Sequence, residues 1–183
     1  MGIFVVVPLT FQDPILKTDF AIDNMCLMLR PVESGDDEFI YRVYASTRAD
    51  EMALVNWTDE QKEAFLRMQV NAQTDHYKNY YPRAQYHIIQ REDILIGRLI
   101  TDQSPKNILI IDIALLPSYR AAGIGTAVMK NLMNYAQEIN LPIILRVEFF
   151  NPALNLYARL GFVKTGEMSI YHEMTWTPMG IPA

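Results

Sequence analysis

Cysteine is nearly absent from this chain: Cys26 is the only one in 183 residues. A single thiol excludes an internal disulfide and a cysteine-held metal cluster, and it fits a reducing cytoplasm. Its expected place is in the core, as a small apolar side chain. Histidine is scarce too. His76, His87 and His172 show no metal-ligand spacing, so no metal is expected. No Lys/Arg cluster tracks along the chain, and the net charge is −5 with a sequence pI near 5.2, which argues against a nucleic-acid partner. Such acidity suits a cationic amine, although it also serves solubility alone. Long apolar runs are missing as well. Ile3–Val7 stops at Pro8, far short of a membrane span, and it lacks the basic flank and cleavage site of a signal peptide. No repeat, low-complexity tract or linker interrupts the sequence.

What is present is apolar and patterned. Half of the residues are hydrophobic, enough for the core of one domain of this length. Met25 to Arg30 reads as a strand, and Ser34-Gly35-Asp36-Asp37 starts a helix that runs to about Ala49. Thr58-Asp59-Glu60-Gln61 is a capping box, with Trp57 placed to pack on the helix behind it. That helix extends to about Tyr80 and repeats apolar residues at Phe65, Met68 and Ala72. Tyr86 to Gln90 and Ile94 to Thr101 form an antiparallel pair around the turn at Arg91-Glu92-Asp93. Ile108 to Leu115 is a nearly continuous apolar run, as for a strand in the middle of a sheet. A helix from Ala122 to Asn140 keeps helical spacing through Ile124, Val128, Leu132, Ala136 and Ile139. Ile143 to Val147 is the next strand. Asn151 then caps a short helix with Pro152 at its first position, ended by Gly161. Phe162 to Lys164 and Ser169 to Trp176 close the sheet. From pattern alone the class is α/β or α+β.

Between the apolar run and its helix lies Arg120-Ala121-Ala122-Gly123-Ile124-Gly125. The first N–H groups of a helix lack intrahelical partners, and the helix dipole favours negative charge there. Gly123 and Gly125 let backbone come close to a pyrophosphate, and Arg120 adds a planar fork of donors. A dinucleotide fingerprint is the competing reading, with Glu148 as the ribose-binding acid. It fails on Val128, which stands where a third glycine belongs, and on the four strands that precede the turn.

A second run, Asn151-Pro152-Ala153-Leu154-Asn155-Leu156-Tyr157-Ala158-Arg159-Leu160-Gly161-Phe162, comes after the next strand. Together the two motifs resemble the GNAT superfamily of N-acyltransferases, which use acetyl-coenzyme A. That family carries Arg/Gln-x-x-Gly-x-Gly/Ala after one strand and an Asn, Ala, Leu-Tyr, Gly-Phe pattern after the next, in this order. The resemblance covers roughly residues 25 to 177. It leaves residues 1–24 as an extension that packs on the domain or associates with another chain, and 178–183 as a tail. It implies an α+β fold: a central mixed, mostly antiparallel, splayed sheet flanked by helices, in the order β-α-α-β-β-β-α-β-α-β-β.

The resemblance also implies a site. Backbone N–H groups of Ala121, Ala122, Gly123, Ile124, Gly125 and Thr126, with Arg120, would hold the pyrophosphate of acetyl-CoA. The strand edge at Ile113, Ala114 and Leu115 would pair with the pantetheine amides, and Asn151 would touch the coenzyme arm. Two positions depart from the commoner motif: Ala121 replaces a usual glycine, and Ala122 a frequent Lys or Arg. Tyr157 stands where the family places the phenol that protonates the departing thiolate after direct amine attack. Glu148 is a candidate base. Asp112 interrupts an apolar strand, which is costly unless it is paired, and is read as base, substrate anchor or structural partner. Tyr44, Arg48, Glu51 and Trp57 are the candidate acceptor-binding residues. The acceptor would be a small-molecule amine, an amino acid or a peptide N terminus, and the alternative is a non-catalytic acetyl-CoA-binding sensor of the same fold.

Overall fold

Strands whose successive residues enter different cores need a layer on each face, and the apolar runs here do so. The computed structural model describes residues 19–22 and 25–180. Its strands are β1 (Asp19–Ile22), β2 (Met25–Pro31), β3 (Gln85–Arg91), β4 (Ile94–Gln103), β5 (Ile108–Leu115), β6 (Ile143–Glu148), β7 (Val163–Met168) and β8 (Tyr171–Trp176). The helices are α1 (Asp37–Thr47), α2 (Ala49–Ala53), α3 (Asp59–Tyr80), α4 (Ile124–Glu138) and α5 (Leu154–Arg159). The eight strands form one sheet in the order β1-β2-β3-β4-β5-β6-β8-β7. Every neighbouring pair is antiparallel except β5 and β6. The α+β order expected from β2 onward is present, with two additions, β1 and α2. The described end of the N-terminal extension is therefore sheet, paired with β2; residues 1–18 lie outside the described residues.

Alternation sorts the core. Ile89 and Ile113 join a cluster with Ile124, Val128, Leu132 and Ala136 of α4 and with Tyr157 of α5. Their neighbours Ile88 and Ala114 join Phe39 and Val43 of α1. Adjacent strand residues point to opposite faces, so α4 and α5 cover one face and α1 the other. Helix α3 packs outside α1 through Tyr44, Leu66 and Val70.

Several local expectations are corrected by the fold. The capping box at Thr58 and Gln61 is present, and Trp57 meets Phe65 edge-to-face. However, the buried face of α3 is Leu66 and Val70, while Met68 is exposed. The reason is that α3 rests on α1 rather than on the sheet, so a narrow stripe suffices. Cys26 is exposed, not buried; its neighbour Leu27 takes the core side of β2. Helix α4 starts at Ile124 rather than Ala122, because Gly123 is left-handed at φ 80°. Asn151 does accept the Ala153 N–H at 2.9 Å, but through a turn that precedes α5.

One irregularity shapes the centre of the sheet. Along β4 and β5, Ile100 pairs with Asp112 but Thr101 pairs with Ile110, leaving Ile111 as an extra residue. A bulge of this kind inverts the facing of every residue beyond it. Without it, Asp112 would share the α4 core with Ile110. With it, Asp112 turns to the α1 face beside Arg98. Near the other end of the contact, a Cβ on Gly97 would stand 2.4 Å from the Ala114 carbonyl oxygen. Only glycine lets β4 approach β5 so closely there, a requirement that the sequence reading missed.

Candidate active site

The parallel ladder between β5 and β6 covers only Ile108–Ile110 against Ile143–Leu145. Beyond the bulge the two strands part, so the β5 edge from Ile111 to Leu115 faces an open wedge. Its other edge continues to pair with β4 as far as Leu115. The wedge leads directly into the turn before α4.

That turn concentrates unusual backbone. Ala121 and Gly123 are both left-handed, at φ 59° and φ 80°. The first backbone bond of α4 runs from the Ala127 N–H to the Gly123 carbonyl at 2.9 Å, and no side chain caps the helix. The N–H groups of Ile124, Gly125 and Thr126 are thus the free donors of the first turn. The Ile124 side chain is buried in the core, so it can contribute only its backbone. Ala122 and Gly123 are exposed at the turn. Arg120 is engaged differently from the phosphate fork expected of it. Its Nε donates to the Leu115 carbonyl at 2.8 Å, and its Nη2 lies 3.2 Å from Ser46 Oγ. It therefore braces the end of β5 against α1.

A left-handed alanine costs roughly 1–2 kcal/mol against a helical or extended one, and glycine returns part of that gain through its greater unfolded freedom. Ala121→Gly is therefore expected to stabilise the fold by about 0.5–1 kcal/mol. A thermal melt should rise by a few degrees; a fall would show that Ala121 is not strained.

Asp112 is the polar centre of the wedge. Its Oδ2 lies 2.5 Å from Arg98 Nε, and the Arg98 guanidinium, 5 % exposed, also donates from Nη2 to Gln73 of α3 at 2.9 Å. A phenol approaches from each layer. Tyr157 of α5 is 7 % exposed, and its hydroxyl is pushed up to about 12, first by burial and then by the charge of Asp112. Tyr77 of α3 is raised further, again by burial first and Asp112 second, with Arg98 opposing. Both stay protonated through the neutral range.

The remaining candidates are spread around this centre. Glu148 ends β6, half-buried, opposite Tyr171 of β8. Tyr44 is 4 % exposed, donates to Gln69 Oε1 at 3.2 Å, and has the Arg98 guanidinium 5.9 Å from its ring centroid, so it packs between α1, α3 and the polar centre. Arg48 lies over the Tyr44 ring and pairs with Glu51 at 2.8 Å. Trp57 is exposed against Phe65. These four form a group on the α1–α3 side, and none of them bonds to Asp112. The sequence points there for the acceptor through the aromatic content of the two helices, the charge of Arg48 and, for Glu51, the family resemblance. Tyr77 belongs to the same aromatic set in the sequence, whereas Gln73 carries no signal there, and only Asp112 in an apolar strand hints that a partner is needed. Among the described residues no group of His, Cys, Asp and Glu side chains is arranged to hold a metal, and no helix is long and apolar enough to cross a membrane.

The fold has known counterparts. The chain aligns along more than four fifths of its length with PaiA N-acetyltransferase from Thermoplasma acidophilum, a structure in complex with coenzyme A. The two are 16% identical with a TM-score of 0.63, over 84% of this chain and 99% of that one. The ribosomal-protein-S18-alanine N-acetyltransferase of Escherichia coli gives 16% identity and a TM-score of 0.58, over 86% and 96%. RimL, the ribosomal L7/L12 alpha-N-protein acetyltransferase, also in complex with coenzyme A, gives 16% and 0.61, over 87% and 98%. No curated protein matches the chain by sequence. The sequence model of the acetyltransferase (GNAT) family matches residues 42–162, which span α1 to the end of the Tyr157 motif. The chain belongs to the acetyltransferase (GNAT) family.

Proposed function

We propose that the protein is an N-acetyltransferase that moves an acetyl group from acetyl-CoA to a primary amine by direct attack. The observation that carries this reading is the open β5 edge, Ile111–Leu115, leading into a turn of free N–H groups. An extended arm with amides at one end and a pyrophosphate at the other matches that sequence of donors and acceptors. Coenzyme A in two of the similar structures supports the choice.

The bound co-substrate would supply an activated acyl thioester. Residues 121–126 would hold its phosphates through backbone N–H groups, with Ile113, Ala114 and Leu115 along its arm and Asn151 near it. Asp112 would receive the proton of an incoming ammonium, with Glu148 at the end of β6 as the alternative acceptor. Tyr157 keeps a proton at its hydroxyl for the departing sulfur. A phenol near 12 is a reluctant donor to a thiolate. Part of that reluctance comes from Asp112, and a cation or a transferred proton at Asp112 cancels it.

Hydrogen exchange tests the placement. Adding coenzyme A should slow exchange at the amides of Ile113, Leu115 and residues 123–126, with smaller change in β2 and β3. Protection confined to other strands would put the ligand elsewhere.

A further inference from the structure

Among the described residues the sheet ends on β1 at one side and β7 at the other. Strand β7 pairs only with β8, and no strand covers its outer edge. Such an edge presents unpaired N–H and C=O groups, a template for one more strand. Its six residues, Val163-Lys164-Thr165-Gly166-Glu167-Met168, follow the same chemical order in either direction: apolar, charged, small, small, charged, apolar. The two charges are of opposite sign. Val163 and Met168, at the two ends, are both exposed.

A bulge makes that symmetry usable. In an antiparallel pair, residues directly opposite each other share a face of the sheet. A regular strand alternates, so six residues reversed about their midpoint would set each one against a residue of the other facing. Strand β7 is not regular. Lys164 lies opposite Met174 but Gly166 opposite Glu173, which leaves Thr165 as an extra residue. Thr165 shares the face of Thr175, their hydroxyl oxygens 2.8 Å apart. Val163, Gly166 and Met168 lie opposite Thr175, Glu173 and Tyr171, on that same face. Lys164 and Glu167 lie opposite Met174 and His172, on the face that Met174 turns to the α4 core, and they pair with each other. The order of facings along β7 is therefore also the same in both directions.

We propose that β7 is a self-complementary interface whose partner is a second copy of this chain, joined edge to edge and antiparallel about a dyad between Thr165 and Gly166. That register sets Val163 against the partner's Met168, Lys164 against the partner's Glu167, and Thr165 against the partner's Gly166, and the dyad repeats each contact. The charges choose the partner and its direction. A lysine on an edge strand discourages most strands that could add to it, but in this register it meets a carboxylate. In a parallel pairing of the two copies, Lys164 would meet its own counterpart and be repelled. One strand pair makes a small interface, so dissociation in the micromolar range is expected. Strand β7 lies two strands beyond β6, away from the wedge, so the proposal stands apart from the acetyltransferase reading.

The test is sedimentation equilibrium of the full chain across the micromolar range, where the parent should dimerise. Lys164→Glu and Glu167→Lys, made separately, each set like charges against one another at both contacts. Either should weaken self-association by about tenfold or more. Mixing the two variants should restore a dimer, because the carboxylates of one chain then meet the ammonium groups of the other. Lys164→Glu combined with Glu167→Lys reverses both pairs and should dimerise like the parent. Both side chains are exposed, so the substitutions should leave the fold intact; should a single variant fail to fold by circular dichroism, the reversed double variant decides. A monomeric parent would overturn the proposal. Single variants that associate as tightly as the parent would also overturn it and put the contact elsewhere, as would a reversed double variant that stays monomeric.

Discussion

Tyr157→Phe is expected to lower kcat by on the order of 10²-fold or more, the usual scale for loss of a general acid. Coenzyme affinity should be unchanged, because the ring keeps its place against Phe162, 5.8 Å between centroids, and only the hydroxyl is lost. Stability should change little for the same reason. The split between kcat and binding is the informative part. A variant that lost binding and turnover together would mark Tyr157 as a wall of the cleft rather than a proton donor. Full turnover in the variant would remove the phenol from the chemistry.

The second large effect is expected at Asp112. Asp112→Asn leaves the Arg98 guanidinium, 5 % exposed, without its counter-ion, and breaking a buried pair from one side costs about 3–5 kcal/mol. For a chain of this size that is a fall in Tm of roughly 6–20 °C. Turnover should fall as well, since the amide cannot take the ammonium proton. These two consequences separate in a double variant. Arg98→Met combined with Asp112→Leu removes both charges, so much of the lost stability should return while turnover should not. Recovery of turnover in the double variant would show that Asp112 is only a partner for Arg98. A single variant as stable as the parent would show that Arg98 is satisfied by Gln73 alone.

Much of this was legible in the sequence, for a physical reason. The capping box at Thr58, the glycine that ends α5 and the apolar run of β5 are local signals, and local signals survive in one dimension. Tyr157 was legible because its motif is short and contiguous. The facing of Asp112 was not. It depends on one extra residue in β5 against β4, and a register shift leaves no mark on either strand's composition. Gly97 was overlooked because its need arises from the Ala114 carbonyl across the sheet. The burial of Tyr44 and the engagement of Arg120 depend on how α1 lies against α3 and the end of β5, tertiary contacts that aromatic content alone cannot report.

The measurement that bears most directly on the central claim is thiol release from acetyl-CoA, followed across a panel of primary amines that includes diamines, amino acids and short peptides, in the parent and in Tyr157→Phe. Release that depends on the amine and falls about 10²-fold in the variant is the expected result. Tight coenzyme binding with no release from any amine would contradict the account and leave a coenzyme-binding sensor built on the same splayed sheet.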